Sequence, residues 1–159
     1  KYSNVLPALY GFIPQTLCHH QVARYAVEKT GLQEIVGDGD PLDICILTEK
    51  SISHGDILVE AIPIGGFRLI DRGQADDKII AVLKDDAVYG DMKDISECPQ
   101  PVVERLKHYF LTYKDLPNTK LDVEITHTYD ASEAREVIMR SVQDYHHKFE
   151  NLDHMLSEV

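Results

Sequence analysis

The chain has 159 residues, 43% of them hydrophobic and 27% charged, which fits one globular domain whose core needs no disulfides. Sixteen Lys and Arg against 27 Asp and Glu leave a formal net charge of −11; nucleic acid is a poor partner for such a surface, and an anion is equally poor unless cations bridge it to the protein. Cys18, Cys45 and Cys98 do not make a disulfide framework and fit a reducing cytoplasm, no apolar run approaches the ~20 residues of a membrane helix, and no signal peptide is visible in a chain that opens at Lys1.

Leu6 to Leu17 reads as extended and turn-rich, punctuated by Pro7, Gly11 and Pro14. Between His19 and Gly37, Val22, Ala23, Ala26 and Val27 recur at helical spacing and Thr30-Gly31 reads as a stop, so a short helix is expected on an excursion. Strands follow at Ile44 to Leu47, at Ile57 to Ile64 after the Gly55-Asp56 turn, at Phe67 to Ile70 after Gly65-Gly66, and at Ile79 to Leu83. Pro63 marks an edge or a bulge. Lys84 to Pro101 is polar and turn-rich. Val102, Leu106, Tyr109 or Phe110, and Tyr113 then share one helix face. Leu121, Val123 and Ile125 alternate with polar residues as in a half-buried strand. Asp130 with Glu133 resembles a capping box. It opens a last helix with the stripe Ala134, Val137, Ile138, Val142, Tyr145, Phe149 and Leu152. Several strands, a helix, a strand and a helix indicate an α+β fold, with helices on a small barrel or curled sheet.

Asp38-Gly39-Asp40-Pro41-Leu42-Asp43 offers three carboxylates within six residues. Hard divalent cations, magnesium above all, take such oxygen ligands and keep several waters. Gly39 permits a tight turn and Pro41 stiffens it. Asp71, Asp76 and Asp77 form a second acidic group, followed by Lys78. If the intervening strands pair near the cluster, five or six carboxylates converge, and their repulsion calls for cations. A single Asp-rich turn is as readily a solvated loop; the second acidic loop weighs against that. An EF-hand calcium loop fails, because Leu42 and Asp43 stand where a ligand and a glycine belong and strand-like sequence follows. Cys18-His19-His20 lacks a second half for a zinc site, and His146-His147 sits in a polar stretch of the last helix.

Tyr10-Gly11-Phe12-Ile13-Pro14-Gln15-Thr16 followed by the DGDPLDI run from Asp38 resembles the soluble family I inorganic pyrophosphatases. Gly55-Asp56 before a strand, Asp71 with Asp76 and Lys78, and Tyr113-Lys114-Asp115 at a helix end follow in the order of that family. The resemblance extends from Leu6 to about Phe149. It implies a five-stranded OB-like β-barrel flanked by two main α-helices, and hydrolysis of pyrophosphate, bound as a metal complex, to two phosphates. It implies two or more magnesium ions, with manganese as the alternative, in a homo-oligomer. Carried over residue by residue, it makes Asp38, Asp43 and Asp76 ligands of the tightest metal site, with Asp43 bridging to a second. It makes Asp71, with Asp76, a ligand for metal arriving with the substrate. Asp40 becomes the acceptor of the attacking water's proton, and Tyr10, Lys78, Tyr113 and Lys114 become the phosphate grip.

Departures from the family pattern point to a divergent branch. The family places roughly forty residues ahead of the Tyr10 motif, so residues 1–159 are expected to be a single domain lacking its N-terminal strands, open at an edge. Leu6 stands where many members have tyrosine. Arg72 stands where many have glutamate and reads as a solvated loop charge. About twenty residues between Cys18 and Asp38 have no counterpart in compact members.

Overall fold

A computed structural model describes residues 7–114 and 122–157, the last seven by backbone alone. Lys1, Leu6, Asp115, Leu121 and the Leu152 side chain lie outside the described residues.

The elements run β1 (Leu9–Phe12), α1 (His20–Thr30), β2 (Val36–Gly37), β3 (Asp43–Leu47), β4 (Ala61–Asp71), β5 (Gln74–Ala75), β6 (Lys78–Leu83), a 3-10 turn (Ile95–Glu97), α2 (Gln100–Thr112), β7 (Val123–Asp130) and α3 (Ala131–Ser157). The strands form one mixed sheet in the order β1-β3-β6-β4-β5-β2, with β7 paired to β4. Five strands of four residues or more are present, as the barrel expectation requires. Among the described residues, however, β1 pairs only with β3 and β7 only with β4. The architecture shown is therefore a curled mixed sheet with three helices.

The sheet is covered on both faces. Ile79, Ala81 and Leu83 of β6 pack with α1 and α3 residues such as Val22, Tyr25, Ala134 and Val137. Ile80 and Val82, on the opposite face, pack with Val103, Leu106 and Phe110 of α2. That is why β6 reads as an unbroken apolar run: it lies between β3 and β4 with helices above and below. The three cysteines are free and buried. No helix among the described residues is long and apolar enough to cross a membrane.

One strand differs from expectation. The sequence suggests two strands separated by Gly65-Gly66, but β4 is continuous, with a register shift between Pro63 and Gly65. The two glycines serve packing rather than a turn. A Cβ on Gly66 would lie 2.3 Å from the Tyr129 ring, and one on Gly65 2.7 Å from Ile95. Residues 57–60, expected to start the strand, precede it outside any element. The capping box is half made: Glu133 N–H donates to Asp130 at 2.8 Å, but the Glu133 carboxylate is taken by Arg68 at 3.0 Å.

Arg68 is the centre of a buried polar network. It is 1% exposed and donates to Asp77 through Nη2 at 3.0 Å and Nε at 3.3 Å. The Tyr129 hydroxyl donates to the same carboxylate at 3.1 Å. Burial pushes Asp77 above the usual carboxylate range, against the pull of Arg68 and Tyr129. The guanidinium also lies over the Tyr25 ring at 5.0 Å, and Arg140 covers that ring at 4.3 Å. Replacing Arg68 with methionine strands the Asp77 charge in the core and is expected to cost about 3–5 kcal/mol. The double variant Arg68→Met, Asp77→Leu is expected to recover most of it, read by chemical denaturation at neutral pH.

A second buried carboxylate, Asp86, organises the connection after β6. Burial would raise its pKa, but it accepts from the Thr48 hydroxyl at 2.6 Å and from the Tyr89, Val88 and Glu49 amides at 3.0–3.1 Å. Those donors outweigh burial and hold it down to about 2. A folded-state pKa below the unfolded one gives stability that is present above about pH 4 and lost as pH falls toward 2. Asp86→Asn is expected to flatten that part of the stability–pH curve and to cost about 1–2 kcal/mol at neutral pH, measurable by denaturation across pH 2–7.

Candidate functional site

The site lies at one end of the sheet. There β1 ends at Phe12 and β4 at Asp71, while the parallel pair β3 and β6 begins at Asp43 and Lys78. Asp43 and Lys78 are register partners, so the pairing of two apolar strands fixes a carboxylate beside an ammonium. The two-residue strand β2 pairs in parallel with β5, Val36 opposite Gln74 and Gly37 opposite Ala75. That pairing carries the 38–42 loop to the segment holding Asp76. Between β4 and β5, Arg72 and Gly73 both have positive φ. This gives a two-residue hairpin of the primed kind that places Asp71 and Gln74 side by side.

A pocket of about 370 Å³ is lined by Asp38, Asp40, Asp43, Asp71, Asp76, Lys78, Tyr113 and Lys114, together with Phe12, Pro41 and Gln74. Every candidate site residue except Tyr10 therefore faces one cavity. Tyr10 stands one step behind it, its hydroxyl bonded to Asp43; burial and then that bond push its phenol up. Phe12, Pro41 and Gln74 were not singled out in the sequence; Phe12 belongs to the Tyr10–Thr16 run and Pro41 to the acidic cluster. Asp77, grouped with the acidic loop, points the other way. Side chains alternate across a strand, so Asp76 and Lys78 face the pocket while Asp77 is buried against Arg68. Arg72 is exposed, its Nε 3.6 Å from Asp71, and takes no part in the lining.

Five carboxylates share this pocket with two ammonium groups. Lys78 bonds to both Asp43 and Asp76. It is 2% exposed, and although burial disfavours its charge, Asp76 and Asp43 outweigh that and hold its pKa high. Lys114 bonds to Asp71 at 2.6 Å, which raises it in turn. Asp38 has no such partner. Burial, then the charges of Asp76 and Asp40, lift it to about 6 in spite of the Asp40 N–H it accepts at 2.9 Å. Burial also raises Asp76. Gly39 has φ +82°, a turn geometry that glycine allows at little cost. Tyr113 closes α2, stacked on Tyr109 with ring centroids 5.1 Å apart.

The donor chemistry suits a hard cation, since oxygen is the only donor type in the acidic set. Asp38 and Asp76 are desolvated, and the five carboxylates together outnumber the two ammonium groups. As they stand, no three of them are gathered into a ready ligand cluster among the described residues, and the Lys78 ammonium bonds to both Asp43 and Asp76. The residues fit a divalent ion once that ammonium exchanges partners. Cys18, His19 and His20 take part in no such cluster among the described residues. The His19 and His20 rings stack edge-on, 4.1 Å apart.

A larger groove of about 610 Å³ runs beside β1, with apolar side chains from Leu9, Ile44, Ile46, Leu58 and Ile138. It holds no gathering of carboxylates.

Comparison with known proteins identifies the family. The family model for inorganic pyrophosphatase matches residues 1–146. The inorganic pyrophosphatase of Chlamydia caviae is 50% identical over 154 residues, covering 94% of this chain and 71% of the relative. A Pseudomonas syringae inorganic pyrophosphatase is 36% identical over 141 residues, covering 87% and 69%. The crystal structure of an inorganic pyrophosphatase from Neisseria gonorrhoeae superposes with a TM-score of 0.70 at 32% identity, covering 89% of this chain and 71% of that one. The match runs through both acidic segments and the end of α2, and the chain belongs to the inorganic pyrophosphatase family.

Proposed function

We propose that this chain hydrolyses inorganic pyrophosphate to two phosphates in a magnesium-dependent reaction. The observation that carries the proposal is the convergence of five carboxylates and two lysines on one small polar pocket. Family membership supports it. So does the pocket's volume, at the low end for ligand sites, which favours a small anion over a bulky organic phosphate.

In this reading Asp38, Asp43 and Asp76 would hold one magnesium, Asp43 would also serve a second, and Asp71 with Asp76 would serve an ion bound with the substrate. Bound there, the metal supplies positive charge to the phosphate oxygens and acidifies water. Asp40, exposed at the pocket mouth, accepts the proton of the attacking water. Lys78 and Lys114 exchange their carboxylate partners for phosphate oxygens, and Tyr113 adds a donor. Tyr10 keeps Asp43 oriented from behind, with Phe12 at the rim of the pocket. Phosphoryl transfer asks mainly for positioning and charge neutralisation, which is what this residue set offers. An acidic protein then binds an anionic substrate as its metal complex, in a homo-oligomer of the cytoplasm.

Asp40→Asn keeps the shape of the loop and removes the base. It is expected to lower kcat by about 10²–10⁴-fold with the fold intact, measured as phosphate release from pyrophosphate by the full-length protein in magnesium. Chelation is expected to abolish release and magnesium to restore it. Release no greater than that of Asp40→Asn would sink the proposal, and faster release from an organic phosphate in a substrate panel would redirect it.

A further inference from the structure

The segment between Cys18 and Gly37 leaves the core and returns to it at one point. The Cys18 N–H donates to the Asp40 carbonyl at 2.8 Å, and the Gly39 N–H donates to the Cys18 carbonyl at 3.0 Å. These two rungs tie the backbone of the acidic loop to the residue from which the segment departs. The closure is tight: a Cβ on Gly37 would lie 2.3 Å from the Cys18 carbonyl oxygen. One residue earlier, Leu17 is clamped to α3, its N–H donating to the Ser141 hydroxyl oxygen at 3.0 Å and to the Ser141 carbonyl at 3.1 Å.

On the far side of Cys18 stands Asp144, also of α3 and 3% exposed. Its carboxylate accepts from the amides of His19 at 3.0 Å, Gln21 at 2.9 Å and Val22 at 3.1 Å. Helix α1 has no acidic residue in its first turn and no cap from its own N-cap side chain. Three donors at a helix start are thus satisfied by a carboxylate from another helix, which also answers the positive end of the α1 dipole. Asp144 faces backbone amides and takes no part in the pocket.

We infer that Asp144 is a positioning residue for Asp40. By capping α1 it holds His19 in place, which holds Cys18 against Gly39 and Asp40, so that the α1 segment braces the acidic loop from behind. The inference rests on the reading of Asp40 as the proton acceptor. Its physical premise is separate: without the cap the Cys18 ladder opens locally. A displacement near 1 Å of a catalytic group is worth roughly 10²-fold in rate.

The test uses the full-length protein with Asp144→Ala, Asp144→Asn, Gly37→Ala and Lys29→Ala. Gly37→Ala attacks the Cys18 carbonyl rung without touching the carboxylate. Lys29→Ala removes an exposed contact to Glu133 at the other end of α1 and serves as the control. Hydrogen exchange at the Cys18 and Gly39 amides is read without metal or substrate. Asp144→Ala and Gly37→Ala are expected to speed it at least about tenfold, with β6 amides unchanged. Turnover is then read at a temperature where each variant is folded. Both variants are expected to lose about ten- to a hundredfold in kcat with KM for pyrophosphate changed less than threefold. Asp144→Asn, which keeps one acceptor oxygen, is expected to fall between Asp144→Ala and the parent, and Lys29→Ala to match the parent. If Asp144→Ala does not fold, Gly37→Ala and Asp144→Asn decide. Unchanged exchange at Cys18 and Gly39 overturns the inference. Faster exchange with parental kcat also overturns it and leaves Asp144 a structural cap. Should Asp40→Asn retain full turnover, the role of Asp40 fails, and the exchange result still reports the ladder.

Discussion

Like-charge crowding is the constraint on which the rest of the structure depends. Five carboxylates are brought to one end of a sheet, and burial together with neighbouring negative charge raises Asp38 and Asp76 among them. Lys78 is the internal answer. Its position at the start of β6 opposite Asp43 sets an ammonium between Asp43 and Asp76. A slip of one residue in β6 would send Lys78 to the opposite face and Asp77 into the pocket. The apolar residues of β6, buried on both faces, forbid that slip. The register of the core thereby sets the charge pattern of the site.

The same alternation explains why Arg68 is buried. With Asp76 and Lys78 facing the pocket, Asp77 between them faces the core, where a lone carboxylate is not tolerated. Arg68, Tyr129 and the rings around them form the receptacle for it. The network is completed by Tyr25 of α1 and Arg140 of α3. The α1 segment therefore braces the acidic segments twice from behind, once through Cys18 against Gly39 and Asp40 and once through Tyr25 against Arg68, the partner of Asp77. Both contacts fix backbone that presents acidic side chains and leave the pocket mouth open.

Much of this was legible in the sequence, and the rest was not, for physical reasons. Local patterns served well where one face is apolar: α1 ends at Thr30 with Gly31 as its C-cap, and β6 reads as doubly buried. The acidic segments were visible as composition, and the family resemblance supplied their roles. Their meeting was conditional on strand pairing, which a single sequence does not specify; the β2–β5 pair that joins them is only two residues long and carries no periodic signal. Gly65-Gly66 read as a break between two strands because glycine weakens a strand, whereas here it makes room for Tyr129 and Ile95. Glu133 read as a capping partner because its spacing from Asp130 allows it. Arg68, distant in sequence, competes for the carboxylate and wins, since a buried guanidinium needs it more than an exposed backbone amide does. Asp144 gave no signal, because a cap supplied across 122 or more residues leaves no local spacing to read.

These features bear on how an acidic protein comes to hold an anion. The formal net charge of −11 opposes approach of an anion, while the pocket keeps its own two ammonium groups bound to carboxylates. A free anion would have to take Lys78 and Lys114 from Asp43, Asp76 and Asp71, and would leave those carboxylates unpaired in a desolvated place, a cost of order several kcal/mol. On the proposed reading, an anion carrying its own divalent cations would meet neither obstacle, since the carboxylates would gain positive charge as the lysines left them. The pairing of Lys78 with two aspartates would then favour a metal complex over the bare anion through the balance of charge alone.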